Sequence, residues 1–178
     1  HVDIDKKNIH YFDGFTDDPR RTCQEYEEKI KAAGGIDLQL LGIGRDGHWG
    51  YNEPGSSLGS RSHVVALTKQ TIDDNYEDFY RKVGITKDEM PHFALTMGVG
   101  TILDARKLIL VASGAKKAEI VQKALEGPIT AQITSTAIQL YAGEATIILD
   151  ADAASMLSNI EHIKHTEAMS KKYGFRAE

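Results

Sequence analysis

The chain has 178 residues, 41% of them hydrophobic and 26% charged, with a formal net charge of −5. That is an ordinary globular composition with enough apolar mass for a core. It lacks the basic footprint that nucleic acid or an anionic membrane demands, and no apolar run approaches the roughly 20 residues of a membrane span. The single cysteine, Cys23, excludes an internal disulfide framework and fits a reducing, cytoplasmic setting; no signal peptide is visible, although the first residue is His1.

Residues 2–12 mix apolar and charged side chains and are expected to carry a short extended piece. Asp17-Asp18-Pro19 reads as a helix start, with acids at the positive end of the dipole and proline in the first turn. That helix should run to about Ala33 and stop at Gly34-Gly35. Residues 36–43 form a strand candidate whose later half is continuously apolar, as in a buried parallel sheet. A long glycine-rich loop follows to about Ser62. Short strands are expected at 64–67, 93–96, 108–112 and 145–149. Helices are expected at 71–82, 98–103, 116–126, 134–141 and 151–158, and the polar tail beyond them is expected to fray. Strands alternating with helices in this way indicate one α/β domain with a mainly parallel sheet, which binds ligands at the carboxyl ends of its strands. The loop beginning at Gly42 sits in that place.

The segment Gly42-Ile43-Gly44-Arg45-Asp46-Gly47-His48 sets three glycines among two charges and an imidazole, and Glu53 follows five residues later. Glycines let backbone approach a ligand closely and can turn amides towards an anion. A histidine between two carboxylates is suited to general acid–base work near neutral pH. From the pattern alone, a loop histidine beside two solvated acids is an equally good reading. A metal site is a third, with few ligands and no second histidine at i+4. Dinucleotide and Walker phosphate-binding fingerprints are absent. Trp49 and Tyr51 could wall a sugar site, but packing beneath the loop is the first expectation. Cys23 has no basic neighbour in sequence and is expected to be inert.

The string LGIGRDGHWGYNEPGSSLGSR (residues 41–61) strongly resembles the signature of glucosamine-6-phosphate deaminases, also called glucosamine-6-phosphate isomerases. The likeness continues collinearly through residues 91–130 and 134–140, and the opening HVDI (residues 1–4) resembles an internal segment of that family. The resemblance implies a Rossmann-like three-layer fold, incomplete at the N-terminus. It also implies conversion of glucosamine 6-phosphate to fructose 6-phosphate and ammonia, an aldose–ketose isomerisation with deamination of the hydrolase kind. His48 would open the sugar ring, with Asp46 and Glu53 completing its proton relay. Gly44 and Lys117 would contact the substrate, with Lys116 as the alternative lysine. The family's lid arginine falls on Glu77 when counted from Asn75, and on Arg81 when counted back from Pro91; Arg81 is taken, since an acid would repel phosphate. Residues 68–90 would be the lid. No metal or organic cofactor is implied, and the partner is a small amino-sugar phosphate, with a homo-oligomer left open because the family includes monomers and hexamers.

Two family features have no counterpart here: a phosphate loop rich in Gly and Thr, and the aspartate that moves a proton between sugar carbons. The chain is therefore expected to be a C-terminal portion. Galactosamine 6-phosphate as substrate, a 6-phosphogluconolactonase and a non-catalytic sugar-phosphate sensor are the competing readings. The lactonase family shares the Gly-x-Asp-Gly-His opening but continues with an aromatic where this chain has Asn52-Glu53. Family members activated by an acetylated sugar phosphate carry two basic residues just after the loop's Ser-Arg, where His63 and Val65 stand here. N-acetylglucosamine 6-phosphate should therefore leave turnover by a longer form of the protein unchanged, and a clear activation in a steady-state assay would refute this.

Overall fold

The structure is a computed structural model that describes residues 3–174. His1 and Val2, which open the family-like segment and the expected extended piece, lie outside the described residues. In chain order the elements are α1 (Pro19–Ala32), β1 (Leu38–Leu41), β2 (His63–Ala66), α2 (Lys69–Asn75), β3 (Phe93–Thr96), α3 (Val99–Leu103), β4 (Lys107–Ala112), α4 (Ala118–Glu126), β5 (Glu144–Leu149) and α5 (Ile160–Tyr173). Thr134–Leu140 forms consecutive 3-10 turns where the sequence suggested a short helix.

β1, β4 and β5 make a parallel sheet in the order β1-β4-β5, with Leu41 opposite Leu110 and Leu110 opposite Ile147. β2 and β3 pair separately and antiparallel. Parallel neighbours need crossovers, and α3 and α4 lie in those connections. Alternation along β4 puts Leu108, Leu110 and Ala112 on one face, where they pack in a single cluster with Val99 and Ile102 of α3 and Ile120, Val121 and Ala124 of α4. The opposite face carries Leu38, Leu40, Val111 and Ile148, and Leu40 is 67% exposed.

α1 starts where the sequence places it. Asp18 accepts the Arg21 amide as its cap, and Pro19 stands in the first turn. The single long helix expected over 71–82 is instead α2, a π-turn at Tyr76–Tyr80 and a 3-10 turn at Arg81–Val83, ended by left-handed Gly84.

Around the expected extended piece, extended backbone at Asp5 and Ile9 flanks the 3-10 turn Lys6–Asn8, and no strand is formed among residues 3–12. The helix expected over 151–158 does not form. Residues 151–158 are a string of turns. The Asp150 carboxylate takes the Ala153 amide, and the Glu126 carboxylate takes the amides of Ser158 and Asn159. That second clamp satisfies amides at the N-terminus of α5, so the helix begins at Ile160. The described part of the polar tail is thus helical, braced by ion pairs Lys164–Glu161 and Lys171–Glu167 and closed by Gly174, while residues 175–178 of the tail expected to fray lie outside the described residues. No helix among the described residues is long and apolar enough to cross a membrane.

Leu108 is fully buried at the centre of the cluster. Leu108→Ala should lower unfolding free energy by about 2–5 kcal/mol, read as a reduced urea midpoint at unchanged slope.

Candidate active site

The chain leaves β1 at Leu41 and enters the glycine-rich loop at the carboxyl edge of the parallel sheet. The Gly44 amide donates to the His48 carbonyl at 3.0 Å, and the Gly47 amide donates to the Gly44 carbonyl at 3.1 Å. This tight bend needs its glycines. Gly47 has φ +87°, and a Cβ at Gly44 would stand 2.5–2.6 Å from three atoms of the His48 ring. Trp49 and Asn52, both fully buried, anchor the far side of the bend. The Asn52 side-chain amide donates to the carbonyls of Trp49 and Met97, each at 2.8 Å. Thr134 donates its hydroxyl to the Asn52 carbonyl at 3.0 Å, and Thr96 accepts the Tyr51 amide at 3.1 Å. The loop is therefore pinned to the end of β3 and to the 3-10 segment, 45 to 82 residues away in sequence.

On that frame Asp46, His48 and Glu53 meet. His48 Nδ1 lies 2.6 Å from Asp46 Oδ1 and 3.9 Å from Glu53 Oε2. The His48 amide also donates to Asp46 Oδ1 at 3.1 Å. Glu53 is buried; Asp46 and His48 are half-buried. Burial pushes the Asp46 carboxyl up, but hydrogen bonding and charge attraction from His48, with its amide, outweigh that and hold it below the ordinary aspartate range. The three side chains could also offer one ligand atom each to a metal ion, all within 4.8 Å of one another.

His48 opens into a cleft of about 530 Å³ between the bend, the start of α4, and α2 with the π-turn that follows it. Gly44, Lys116 and Lys117 line it, so the structure brings both lysines to the histidine. Lys117 Nζ donates to the Ile43 carbonyl at 2.7 Å, fixing the ammonium beside Gly44. Burial pushes that ammonium down and Arg45 adds to the effect, while Asp74, Asp46 and Asp78 oppose it. Arg81 does not join them. It pairs with Glu77 at 2.8 Å in an exposed i,i+4 contact, and Glu77 is the member of that pair that lines the cleft.

Two residues that the sequence did not single out complete the rim. Arg45 pairs with Asp74 of α2 at 3.2 Å. The Asn75 side-chain amide donates to the Tyr51 hydroxyl at 3.3 Å, so Tyr51 faces the cleft while Trp49 packs in the core. A charge inside the glycine run was the available signal for Arg45; nothing local signalled Asp74. A second cavity, of about 550 Å³, lies between α1 and the Arg61–Asp104 ion pair and shares no lining residue with the first. The His48 cleft is the better site, because acids, imidazole and ammonium groups converge there. Cys23 is buried, and burial followed by the Glu27 charge pushes its thiol up, as an inert cysteine requires.

The lowered Asp46 carboxyl has a consequence for stability. Its ionised form favours the folded state at every pH above the unfolded aspartate value of about 3.9, and the benefit disappears as pH falls through the folded value. Asp46→Asn should lower the urea midpoint at pH 7, with the gap to wild type closing progressively as the solution is acidified below that value.

Residues 1–147 match the family described as glucosamine-6-phosphate isomerases/6-phosphogluconolactonase. The chain is 49% identical over 173 residues to the glucosamine-6-phosphate deaminase of Shewanella woodyi, a match covering 97% of this chain and 63% of that protein. It is 47% identical over 173 residues to the corresponding deaminase of Cellvibrio japonicus, with the same coverage. Among solved structures, a monomeric glucosamine-6-phosphate deaminase superposes with a TM-score of 0.75 at 43% identity, over 82% of this chain and 58% of that one. A 6-phosphogluconolactonase from Trypanosoma cruzi shares the fold, at 24% identity and a TM-score of 0.59, over 79% of this chain and 53% of that one. The chain thus spans about 63% of the length of the curated relatives it matches. Its Asp-Gly-His bend, the buried Asn-Glu pair and the parallel sheet beneath them place it in the glucosamine-6-phosphate isomerase/6-phosphogluconolactonase family.

Proposed function

We propose that this chain carries the ring-opening and phosphate-holding part of a glucosamine-6-phosphate deaminase. The observation that supports this most directly is the contact of His48 Nδ1 with Asp46 at 2.6 Å and with Glu53 at 3.9 Å, at the mouth of a cleft that also holds Lys117. With Nδ1 turned to the carboxylates, Nε2 is the nitrogen that exchanges a proton with substrate. An imidazolium held by two acids gives its proton to the ring oxygen as the C1–O bond breaks, and the neutral ring takes the proton of the C1 hydroxyl. Asp46 holds the ring and stabilises its charged form; Glu53 balances the same charge from a buried position. Lys117 binds the phosphate, Gly44 lines the cleft beside it with no side chain to block the approach, and Lys116 adds positive field at the rim.

Release of ammonia consumes one water at the C–N bond after a proton has moved from C2 to C1, which is the sense in which the overall change is a hydrolysis. The family resemblance assigns that transfer to an aspartate with no counterpart among these residues. Glu53 favours the deaminase over the lactonase, since it stands in the relay at a position where the lactonase pattern has an aromatic.

The test is ammonia release from glucosamine 6-phosphate by this chain and by a form that includes its natural upstream sequence. The longer form should be active, and His48→Gln in it should lower kcat by on the order of 10²–10⁴. Ammonia from neither form would favour a sugar-phosphate sensor, and unchanged turnover in the variant would remove His48 from the mechanism.

A further inference from the structure

Glu53 is 5% exposed, and a buried carboxylate needs donors on its oxygens, because bare oxygens cost more than a typical hydrogen bond returns. Thr68 supplies two. Its backbone N–H donates to Oε1 at 3.2 Å and its hydroxyl donates to Oε2 at 3.4 Å. Oε2 is the same atom that stands 3.9 Å from His48 Nδ1. The Thr68 hydroxyl is also the cap of the lid helix: it accepts the Thr71 amide at 3.2 Å and lies 3.0 Å from the Thr71 hydroxyl. A hydroxyl has one proton and two lone pairs. Once the proton goes to an ionised Glu53, both lone pairs point to Thr71, whose side chain is buried in turn. The first turn of the lid and the second acid of the relay therefore share one side chain.

We infer that Thr68 is a positioning residue that couples docking of the lid helix α2 to the orientation of Glu53. When α2 is seated, the Thr68 amide and hydroxyl hold the carboxylate with Oε2 towards His48. When α2 lifts, both donors leave with it and the carboxylate loses its orientation. Lid closure would then complete the proton relay in the same movement that encloses the substrate. This rests on the reading of Glu53 as a relay member. Thr68 itself touches no substrate.

Two measurements test it, and the first needs no turnover. Amide exchange at Thr68 and Thr71 is followed by NMR in wild type, Glu53→Gln, Thr68→Ser and Thr68→Val. Neutralising Glu53 should speed exchange at both amides by on the order of tenfold, because the acceptor that seats the lid's first turn is weakened. Thr68→Ser should stay near wild type, and Thr68→Val should speed exchange at Thr71. Equal exchange in Glu53→Gln and wild type would overturn the coupling. The second measurement uses the longer form with glucosamine 6-phosphate. Thr68→Val should lower kcat by about tenfold with KM changed less than about twofold, and Thr68→Ser should restore it. A loss confined to KM, or a serine variant as poor as the valine one, would make Thr68 a packing residue and overturn the proposal. Coupled exchange without any ammonia release would remove the deaminase reading and leave the joint between lid and Glu53 standing.

Discussion

The chemistry proposed here depends on keeping an imidazole within 2.6 Å of one carboxylate and 3.9 Å of another. Left free, a loop of this composition would sample many arrangements, and fixing each residue costs about 1–2 kcal/mol of backbone entropy. The constraint comes from Asn52. Its side-chain amide spans two carbonyls, on Trp49 and Met97, and its own carbonyl is held by Thr134. One fully buried side chain thus ties the bend to the end of β3 and to the 3-10 segment. Hydrogen bonds in such a dry place are costly to leave unmade, so this network specifies one loop conformation even where its net contribution to stability is modest. Gly44 does the complementary work: it clears the space into which the His48 ring folds back.

The cluster around His48 was legible in the sequence for a local reason. Asp46, His48 and Glu53 lie within eight positions of one another, so a tight bend alone can bring them together. The strands were legible because β4 and β5 alternate or run apolar over lengths that match their spans. What escaped notice was set at long range. The start of α5 is dictated by Glu126, 32 residues upstream of Ser158, and no local pattern around Ser158 announces it. Asp74 reaches Arg45 across 29 positions, and Thr68 reaches Glu53 across 15, so neither was visible as part of the site.

The charges around the cleft are divided between its walls. Lys116, Lys117 and Arg45 come from the bend and the start of α4, while Asp74, Glu77 and Asp78 come from α2 and the π-turn after it. Opposite charges attract across the cleft, as the Arg45–Asp74 pair shows. Arg81 fits this division: it pairs with Glu77 and adds no positive charge to the lining of the cleft. The Lys117 ammonium in that lining is already fixed by a backbone carbonyl and partly stripped of water.

The two faces of the parallel sheet stand in different relations to this site. The face bearing Leu108 and Leu110 supports α3 and α4, and α4 follows directly from the turn that holds Lys117. The other face, with Leu38, Leu40, Val111 and Ile148, leaves apolar surface open to water. None of the residues that pin the bend belongs to that face: Asn52 and Thr134 are in loop and 3-10 turns, and Thr96 and Met97 are at the end of a strand in the other sheet. Covering the open face would add burial free energy at about 25 cal/mol per Å² of apolar surface and raise the stability of the whole domain. It would do so without entering the hydrogen bonds that set the His48 contacts, so the stability of this domain and the geometry of the Asp46–His48–Glu53 cluster are carried by separate sets of residues.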